Sequence, residues 1–279
     1  MIRRLLEIIK LDSKLDNMKI SVLASSSTGN VTYIETPQHK ILVDAGMSGK
    51  KIKELLDSVG KNIEEIDSLF VTHEHSDHIK GVGVLARRYG LNVYANEKTW
   101  QAMMPKIGKV DSDQINIFDK NKVLSLGDLD IESFGVSHDA ADPQFYKFHH
   151  NNKDFVILTD TGYISDTVEK KIENADGYLF ECNHDVDMLR NGSYAWSLKQ
   201  RILSEKGHLS NEDGARGLMD VIGENTKQVY LGHLSPENNT KYTAHETVAT
   251  FLKNHDMAVD HDFYLNDTDP IIPDDLIIL

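Results

Sequence analysis

Cysteine is almost absent from this sequence of 279 residues, which contains only Cys182. A single cysteine cannot form an intrachain disulfide, so a disulfide scaffold and a Cys-rich zinc module are both excluded. This scarcity favours a reducing compartment, and we expect a cytoplasmic protein. Apolar runs of the ~20 residues needed to span a bilayer are also missing, so we expect no membrane association.

Positive charge is scarce as well, since 30 lysines and arginines stand against 44 aspartates and glutamates, a formal net charge of -14. This balance argues against a protein that coats nucleic acid through bulk electrostatics. Half of the excess lies in residues 255–279, which carry no lysine or arginine but hold Asp256, Asp260, Asp262, Asp267, Asp269, Asp274 and Asp275. The body of the chain is therefore much less acidic than the total suggests.

Two segments of the chain, residues 80–109 and 190–206, reverse this balance. The first contains six basic residues and one acid, and the second contains four basic residues and one acid. Tyr89, Tyr94 and Trp100 are interleaved in the first segment. This pattern suits base stacking beside a basic groove, but a solvated helix face with core aromatics explains it too.

Residues 1–17 are interpreted as an N-terminal extension. The opening MIRRLLEIIK has the positive start of a signal peptide, but Glu7 breaks its apolar stretch and no small-residue cleavage site follows. The extension is either a short amphipathic helix or a segment before a native start at Met18. Residues 18–279 are interpreted as one domain that ends in the acidic tail.

From Met18 onwards, short β patterns and amphipathic helical patterns alternate. Three β runs joined by tight turns predict antiparallel pairing over residues 19–46, and a helical pattern then continues to about Gly60. Further helices are predicted at 79–89, 165–173, 194–204, 211–222 and 244–254, and further strands at SLFVTH, NVYA, QINIF, VLSLGDLDIESF, QFYKFHH, FVILTD, GYLFECN and QVYLGH. No internal repeat is apparent in the sequence. The pattern indicates an α/β fold with mixed sheets.

The strongest chemical feature is the segment THEHSDH at residues 72–78, directly after a buried strand and before a helix. In extended backbone His73 and His75 project to the same face, so both imidazoles can reach one ion. Asp77 and His78, at the turn into the helix, can point toward a second ion close by. Imidazole and carboxylate ligands without thiolate suit Zn²⁺, Mn²⁺ or Fe.

A centre with two ions needs more ligands, and three candidates follow later strands: His138 in GVSHDA, Asp160 in VILTDTG and His233 in VYLGHLS. Taken singly, each is also explained as a turn former or a satisfied polar residue. Beside the motif at residues 72–78, a metal ligand is the better interpretation. The carboxylate of Asp160 is able to bridge two ions.

These residues, preceded by Asp44 in VDAG, resemble in their order the motifs of the metallo-β-lactamase-fold hydrolases over residues 18–255. More narrowly, ASSSTGN near the start, ECNHD at 181–185 and Gly-His-Leu-Ser at 207–210 and 232–235 resemble the YycJ/WalJ group of bacterial proteins. The superfamily resemblance implies a four-layer αβ/βα sandwich with two metals at one edge. The group resemblance implies a DNA exonuclease that acts from 5′ ends, with Mn²⁺ as an activating ion.

Carried over by position, the resemblance implies two ligand sets bridged by Asp160: His73, His75 and His138 for one ion, and Asp77, His78 and His233 for the other. Two divalent ions per chain, Zn or Mn with Fe as an alternative, would supply a bridging hydroxide and polarise the phosphoryl oxygen. Asp77 is also expected to orient that hydroxide. Asp44 is expected to support the ligands through hydrogen bonds, with a plain turn aspartate as an equal interpretation.

His208 in KGHLSN is the candidate donor of a proton to the leaving oxygen, since the related RNase Z-type phosphodiesterases carry a similar loop in this role. Packing beside a helix start explains His208 equally well. His184 is a candidate for lining a substrate channel, with structural packing as its alternative. The candidates for phosphate binding, at loops and at a helix start, are Ser27, Asn30 and Ser210, with His184 beside them.

Two functional classes remain after this comparison. The first is a metal-dependent phosphodiesterase that acts on nucleic acid ends, and the second is a small-molecule hydrolase of the same fold. The latter would open a cyclic phosphodiester, or a thioester or lactone as glyoxalase II does. The Gly-His-Leu-Ser loop at 207–210 and the basic segments favour phosphate. We therefore expect a nucleic acid partner, DNA rather than RNA, while the oligomeric state stays open, a dimer included.

Overall fold

The computed structural model describes residues 16–279. The helix predicted within residues 1–17 falls on residues outside this range, so it stays a prediction. The strands of the described chain are β1 (Lys19–Ala24), β2 (Val31–Glu35), β3 (Lys40–Val43), β4 (Ser68–Phe70), β5 (Asn92–Ala95), β6 (Ile115–Ile117), β7 (Val123–Leu126), β8 (Leu129–Gly135), β9 (Gln144–His150), β10 (Lys153–Leu158), β11 (Gly177–Glu181), β12 (Gln228–Gly232), β13 (Tyr264–Asp267) and β14 (Ile277–Ile278).

The strands form two sheets that share one plan. Over residues 16–279 the first sheet has the order β14-β1-β2-β3-β4-β5-β6 and the second β13-β12-β11-β10-β9-β8-β7. In each sheet antiparallel pairing changes to parallel pairing at one strand, β3 in the first and β10 in the second. Short turns connect the antiparallel strands, whereas the parallel strands need longer crossovers, most of which contain helices. The architecture therefore repeats although the sequence shows no obvious repeat.

Alternation of apolar side chains gives the sheets two buried faces. In β3, Ile41 and Val43 join an apolar cluster with Phe145 of the second sheet, so this face lies between the sheets. Leu42, between them in sequence, packs instead in a cluster with Ile52 of a helix. The layers are therefore helix, sheet, sheet and helix, and the predicted four-layer αβ/βα sandwich with mixed sheets is confirmed.

Helices cover the outer faces of both sheets. In the described chain they span Gly49–Ser58, Ser76–Ile79, Val82–Tyr89, Glu97–Ile107, Asp166–Ile172, Val186–Asn191, Trp196–Ile202, Asn211–Val221 and Lys241–Lys253. Within residues 16–279, none is both long and apolar enough to cross a membrane. Sequence analysis missed Glu97–Ile107, because Pro105 interrupts its pattern, and Val186–Asn191.

The helix predicted at 79–89 is divided into two at Gly81. The backbone N–H of Gly81 donates to the carbonyl of Ala45 at 2.7 Å. A Cβ atom at this position would lie 2.5 Å from the carbonyl oxygen of Met47. Close contact with the chain that follows β3 therefore fixes the break, and the break lies directly after the segment at residues 72–78.

The acidic segment 255–279 is part of the sheets, which corrects its interpretation as a tail. Within it, β13 pairs with β12 and β14 pairs with β1. The backbone N–H of Asp274 donates to the carbonyl of Val22 at 3.0 Å. Burial raises the pKa of Asp274 to about 7. Part of the formal negative charge of this segment is therefore titrated near neutral pH.

The aromatic side chains of the first basic segment pack in or against the core. Tyr94 stacks on Phe70 with ring centroids 4.6 Å apart. Trp100 is buried, and its indole N–H donates to the carbonyl of Asn116 at 3.1 Å. The base-stacking interpretation of these two rings is therefore wrong, and the packing interpretation holds.

We expect Tyr178→Phe to destabilise the fold by about 1–3 kcal/mol, because it leaves buried backbone groups without a partner. The Tyr178 hydroxyl accepts from the N–H of Ala175 at 2.8 Å and donates to the carbonyl of Ile172 at 2.7 Å. Urea denaturation measures the free energy of unfolding, and Tyr242→Phe, at a ring that is 76% exposed, is the matched control. Equal stabilities of the two variants would contradict this account.

Candidate metal centre

The candidate ligands lie at one edge of the sandwich, at the carboxyl ends of strands from both sheets. Residues 73–78 follow β4 of the first sheet. His138 follows β8, Asp160 follows β10 and His233 follows β12, all of the second sheet. Because β10, β11 and β12 are parallel, their ends meet at the same edge. Residues that are 160 positions apart in sequence are thereby brought together.

The loop after β4 is held by close backbone contacts. His75 is the N-cap of the helix Ser76–Ile79, which places Asp77 in its first turn. The carbonyl of Asp77 accepts from the N–H of Asn30 at 2.9 Å, and the N–H of Gly46 donates to the carbonyl of Asn30 at 2.9 Å. A Cβ atom at Gly46 would lie 1.7 Å from the Asp77 carbonyl oxygen. Only glycine therefore allows this approach.

His73, His75 and His138 form the first cluster of donor atoms. The Nε2 of His138 lies 3.2 Å from the Nδ1 of His75. The ring centroids of His73 and His75 are 4.6 Å apart. Three imidazoles whose nitrogens converge in this way can bind one cation.

Asp77, His78, Asp160 and His233 form the second cluster. The Oδ2 of Asp77 lies 3.4 Å from the Nε2 of His78 and 3.4 Å from the Nε2 of His233. The Oδ2 of Asp160 lies 3.3 Å from the Nε2 of His78. This second group combines two imidazoles with two carboxylates.

The carboxylate of Asp160 lies between the two clusters. Its Oδ1 is 3.6 Å from the Nε2 of His138 in the first cluster and 3.3 Å from the Nε2 of His233 in the second. The residue has a left-handed backbone with φ of 50°. This conformation is uncommon but tolerable for aspartate, and such strain is typical of functional sites. The position is the one that a bridging ligand requires.

In most of these imidazoles, the outer ring nitrogen, which points away from the donor clusters, makes a hydrogen bond that orients the ring. The Nδ1 of His78 donates to Asp44 at 2.7 Å, and the Nδ1 of His138 donates to the carbonyl of Gly207 at 3.1 Å. The Nδ1 of His233 donates to Glu181 at 3.1 Å. Partners of this kind place the proton on Nδ1 and leave Nε2 free to bind a cation.

Asp44 contacts the candidate ligand His78 but does not belong to either cluster. Its two oxygens accept from the N–H of Thr72 at 2.9 Å, the hydroxyl of Thr72 at 2.8 Å and the ring of His78. These bonds fix both the start of the loop and the orientation of a candidate ligand. A supporting role for Asp44 stays a prediction, which these contacts make testable.

Carboxylates dominate the electrostatics of the second cluster. Burial acts to lower the pKa of His78, but Asp160, Asp44 and Asp77 raise it well above its ordinary value. Burial also opposes the charged form of His233, yet Asp160 and its other carboxylate neighbours raise its pKa to about 10. The carboxylates of the second cluster therefore require positive charge beside them, which ring protons or cations can supply.

The donor atoms fit divalent cations. The Nε2 of His73 and the Oδ2 of Asp160 are buried and have no hydrogen-bond partner among residues 16–279. A buried polar atom left in this state costs about 1–3 kcal/mol, and a bound cation removes that cost. The set of imidazoles and carboxylates without thiolate matches Zn²⁺, Mn²⁺ or Fe rather than a soft cation.

Glu181 belongs to the centre although sequence analysis did not single it out. Its fully buried carboxylate accepts from the rings of His208 at 2.7 Å and His233 at 3.1 Å, and from the N–H of Thr161 at 2.9 Å. Its place at the start of ECNHD, as the last residue of the buried strand β11, is the signal that could have found it. Glu181 links a candidate ligand to the candidate proton donor.

An open cleft of about 520 Å³ lies above the two clusters. His208 lies at its wall, with the ring centroid 5.2 Å from that of His233 and 5.1 Å from that of His138. The two basic segments contribute Lys106 and Arg201 to the lining of this cleft. The segments that reverse the acidic balance of the chain therefore meet at the cleft.

The candidates for phosphate binding separate into two groups. Ser27 lines the cleft. Asn30 is buried and its amide lies 3.2 Å from the Nε2 of His78, below the ligands. His184 and Ser210 line a different cavity of about 360 Å³. These positions support a substrate contact for Ser27 and do not support one for the other three residues.

We expect Asp44→Asn to weaken metal binding about 10–100-fold, because an amide cannot accept all three bonds that the carboxylate accepts. Competition between the protein and a chromophoric chelator for Zn²⁺ measures this affinity. Asp67→Asn is the matched control, since Asp67 accepts from the backbone of Lys40 away from the centre. Equal affinities of the two variants would show that Asp44 has no supporting role.

Comparison with known proteins gives the same family as the motifs of the sequence do. A model of the metallo-beta-lactamase superfamily matches residues 26–192. The chain is 59% identical over 254 residues to the exodeoxyribonuclease WalJ of Streptococcus pneumoniae, covering 90% of this chain and 94% of that protein. It is 52% identical over 256 residues to the exodeoxyribonuclease YycJ of Bacillus anthracis, covering 92% and 97% of the two chains.

Solved structures agree on the fold. The metallo-beta-lactamase fold protein YhfI from Bacillus subtilis superposes with a TM-score of 0.68 at 20% identity, over 92% of this chain and 98% of that one. Unliganded yeast PDE1 superposes with a TM-score of 0.69 at 13% identity, over 94% and 99% of the chains. At these identities the likeness concerns the fold alone. The chain belongs to the metallo-β-lactamase superfamily and is a relative of its WalJ/YycJ group.

Proposed function

We propose that this protein is a metal-dependent exonuclease that shortens DNA from its 5′ ends. The observation that carries this proposal is the 59% identity to exodeoxyribonuclease WalJ over 90% of the chain. The arrangement of the two donor clusters at the floor of an open cleft supports it, since a phosphodiester can reach them there. The 5′ polarity is the most specific part of this proposal, and DNA labelled at one end tests it separately.

Two ligand sets would hold the ions in this proposal. His73, His75 and His138 would hold one, Asp77, His78 and His233 would hold the other, and Asp160 would contact both. When bound, such ions polarise a phosphoryl oxygen and lower the pKa of a coordinated water. We propose Zn²⁺ or Mn²⁺ as the ions, because both accept imidazole together with carboxylate.

His208 is the residue that donates a proton to the leaving oxygen in this proposal. Its Nδ1 donates to Glu181 at 2.7 Å, so the ring orientation is fixed by a buried carboxylate. The side chain is partly exposed, and it lines the cleft beside both clusters. A histidine that is oriented by a carboxylate and reaches the substrate can act as a general acid.

Lys106 and Arg201 are the cationic side chains that meet the substrate backbone. Lys106 donates to the carbonyl of Glu74 at 3.0 Å, which keeps its ammonium at the cleft wall. Arg201 also lines the cleft and pairs there with Asp139. Exposed charges are screened beyond about 8–10 Å at physiological ionic strength, so the side chains that line the cleft affect a bound phosphate more than the distant acidic residues do. The net charge of -14 then limits nonspecific binding without preventing binding in the cleft.

We expect duplex DNA labelled on the 5′ end of one strand to lose its label at once as short products, with Zn²⁺ or Mn²⁺ present. A 3′ label should instead move through a ladder of shortening strands. Asp77→Asn and His78→Ala should reduce the rate more than about 100-fold, the upper loss seen when only an outer partner of a ligand is removed. His149→Ala, at a half-exposed ring outside the cleft, should leave the rate unchanged.

Several outcomes of this assay would contradict the proposal. Immediate loss of a 3′ label would reverse the polarity. Hydrolysis of RNA alone, of a cyclic phosphodiester alone or of a thioester, with no action on DNA, would replace the substrate class. Circular dichroism of each variant checks that loss of activity does not come from loss of the fold.

We expect His208→Ala to slow cleavage of ordinary DNA about 10²–10⁴-fold, the usual contribution of a positioned acid. A substrate with sulfur in place of the leaving oxygen needs no proton on departure, so it should be cleaved by the variant at close to the wild-type rate. Single-turnover rates on both substrates measure the effect. An equal loss on the two substrates would show that His208 positions the substrate and does not act as the acid.

A further inference from the structure

The outer ring nitrogen of His75 differs from those of the other candidate ligands. The Nδ1 atoms of His73, His78, His138 and His233 each lie within hydrogen-bond distance of an oxygen, at 2.7 to 3.1 Å. His75 instead turns its Nδ1 toward the first cluster, 3.2 Å from the Nε2 of His138. Its Nε2 is therefore the outer nitrogen, which must carry the ring proton when Nδ1 binds a cation.

The oxygen that faces this outer nitrogen belongs to Asp139. The Oδ1 of Asp139 lies 4.0 Å from the Nε2 of His75, and 3.6 Å from the Nε2 of His138. It is buried and has no hydrogen-bond partner in the part of the chain that the structure describes. A small rotation of the His75 ring closes the gap to a hydrogen bond. Both atoms then gain the partner that they need.

Arg201 fixes the other oxygen of the same carboxylate. Its Nε donates to the Oδ2 of Asp139, and the backbone N–H of Asp139 donates to the carbonyl of Lys206 at 3.1 Å. Arg201 lies on the helix Trp196–Ile202, which contributes Leu198 and Ile202 to the cleft wall. The carboxylate is therefore held between the wall helix and the first donor cluster.

We propose that Asp139 is a positioning residue for the metal centre: it accepts the Nε2 proton of His75, while Arg201 holds it in place from the wall helix. The negative charge of Asp139 also lies beside the first cluster, which otherwise consists of imidazoles, and attracts a cation there. Ligand partners of this kind orient the imidazole and increase its basicity. Sequence analysis did not single out Asp139, whose only signal is its place after His138.

This positioning role also links metal binding to the wall of the cleft. With a cation bound at the first cluster, His75 would donate to Asp139, and Arg201 would transmit this constraint to the helix Trp196–Ile202. The wall that would contact the substrate is thus ordered by the ion. The proposal rests on the metal centre but not on the nature of the substrate, so it can be tested without nucleic acid.

Titration of the metal-free full chain with Zn²⁺ against a chromophoric chelator tests the proposal. Asp139→Ala should weaken binding of one ion about 10–100-fold. Arg201→Ala should weaken it less, because Asp139 remains. Asp142→Ala is the matched control, since it removes one carboxylate from the same loop whose partner is Lys120, and it should bind as the wild type does. The melting temperatures of the metal-free forms should agree, which separates positioning from stability.

Hydrogen exchange supplies a second measurement that a purely structural role would not move. Zn²⁺ should slow exchange of the amides in the helix Trp196–Ile202 of the wild type and of Asp142→Ala, but not in Asp139→Ala. If Asp139→Ala does not fold, Asp139→Asn keeps the volume of the side chain and should still weaken binding. Zn²⁺ affinity equal to that of the wild type in both Asp139 variants would overturn the proposal, whatever the outcome of the nuclease assay.

Discussion

Burial of carboxylates among imidazoles is the constraint on which this structure depends. Asp160, Glu181 and Asp44 are each at most 3% exposed, and isolated carboxylates cannot be buried in this way without compensation. The fold supplies it through the rings of His78, His208 and His233, and through backbone N–H groups of Thr72 and Thr161. Bound cations would complete the balance. Strand ends, loop contacts and the glycine at position 46 all serve to hold this arrangement at one edge of the sandwich.

The strands and helices of the fold could be predicted from the sequence because their causes are local, whereas the four-layer arrangement followed from the resemblance to the superfamily. The strand runs, the turns between β1, β2 and β3, and the residue pattern at 72–78 each follow from a short segment. His138, Asp160 and His233 were recognisable because each ends an apolar run, and the structure brings them together with His73. The helix Glu97–Ile107 was missed because Pro105 hides its pattern. The acidic tail was misjudged because composition alone does not show that residues 264–278 complete two sheets.

The supporting residues were harder to predict for a physical reason. The carboxylate of Glu181 is bonded to rings that lie 27 and 52 positions away in sequence, and that of Asp139 pairs with Arg201, 62 positions away, so no local pattern identifies either residue. The same limit applies to Asn30, whose loop suggested a phosphate site but whose amide packs beneath His78. A polar loop of serine, glycine and asparagine has the same composition whether it meets a ligand or braces another loop. Only the fold decides between these roles.

The repeated plan of the two sheets places an aspartate at the corresponding position of each half of the chain. Asp44 follows β3 and Asp160 follows β10, the two strands at which pairing changes from antiparallel to parallel, and both aspartates have left-handed backbones, with φ of 60° and 50°. Each is followed by a small residue and a glycine. The two halves thus place the same residue at matching strand ends, yet one aspartate braces ligands and the other lies among them. Neither half carries a complete ligand set. A bound pair of ions would therefore connect the two halves, and both ions could bind only when the halves are packed correctly against each other.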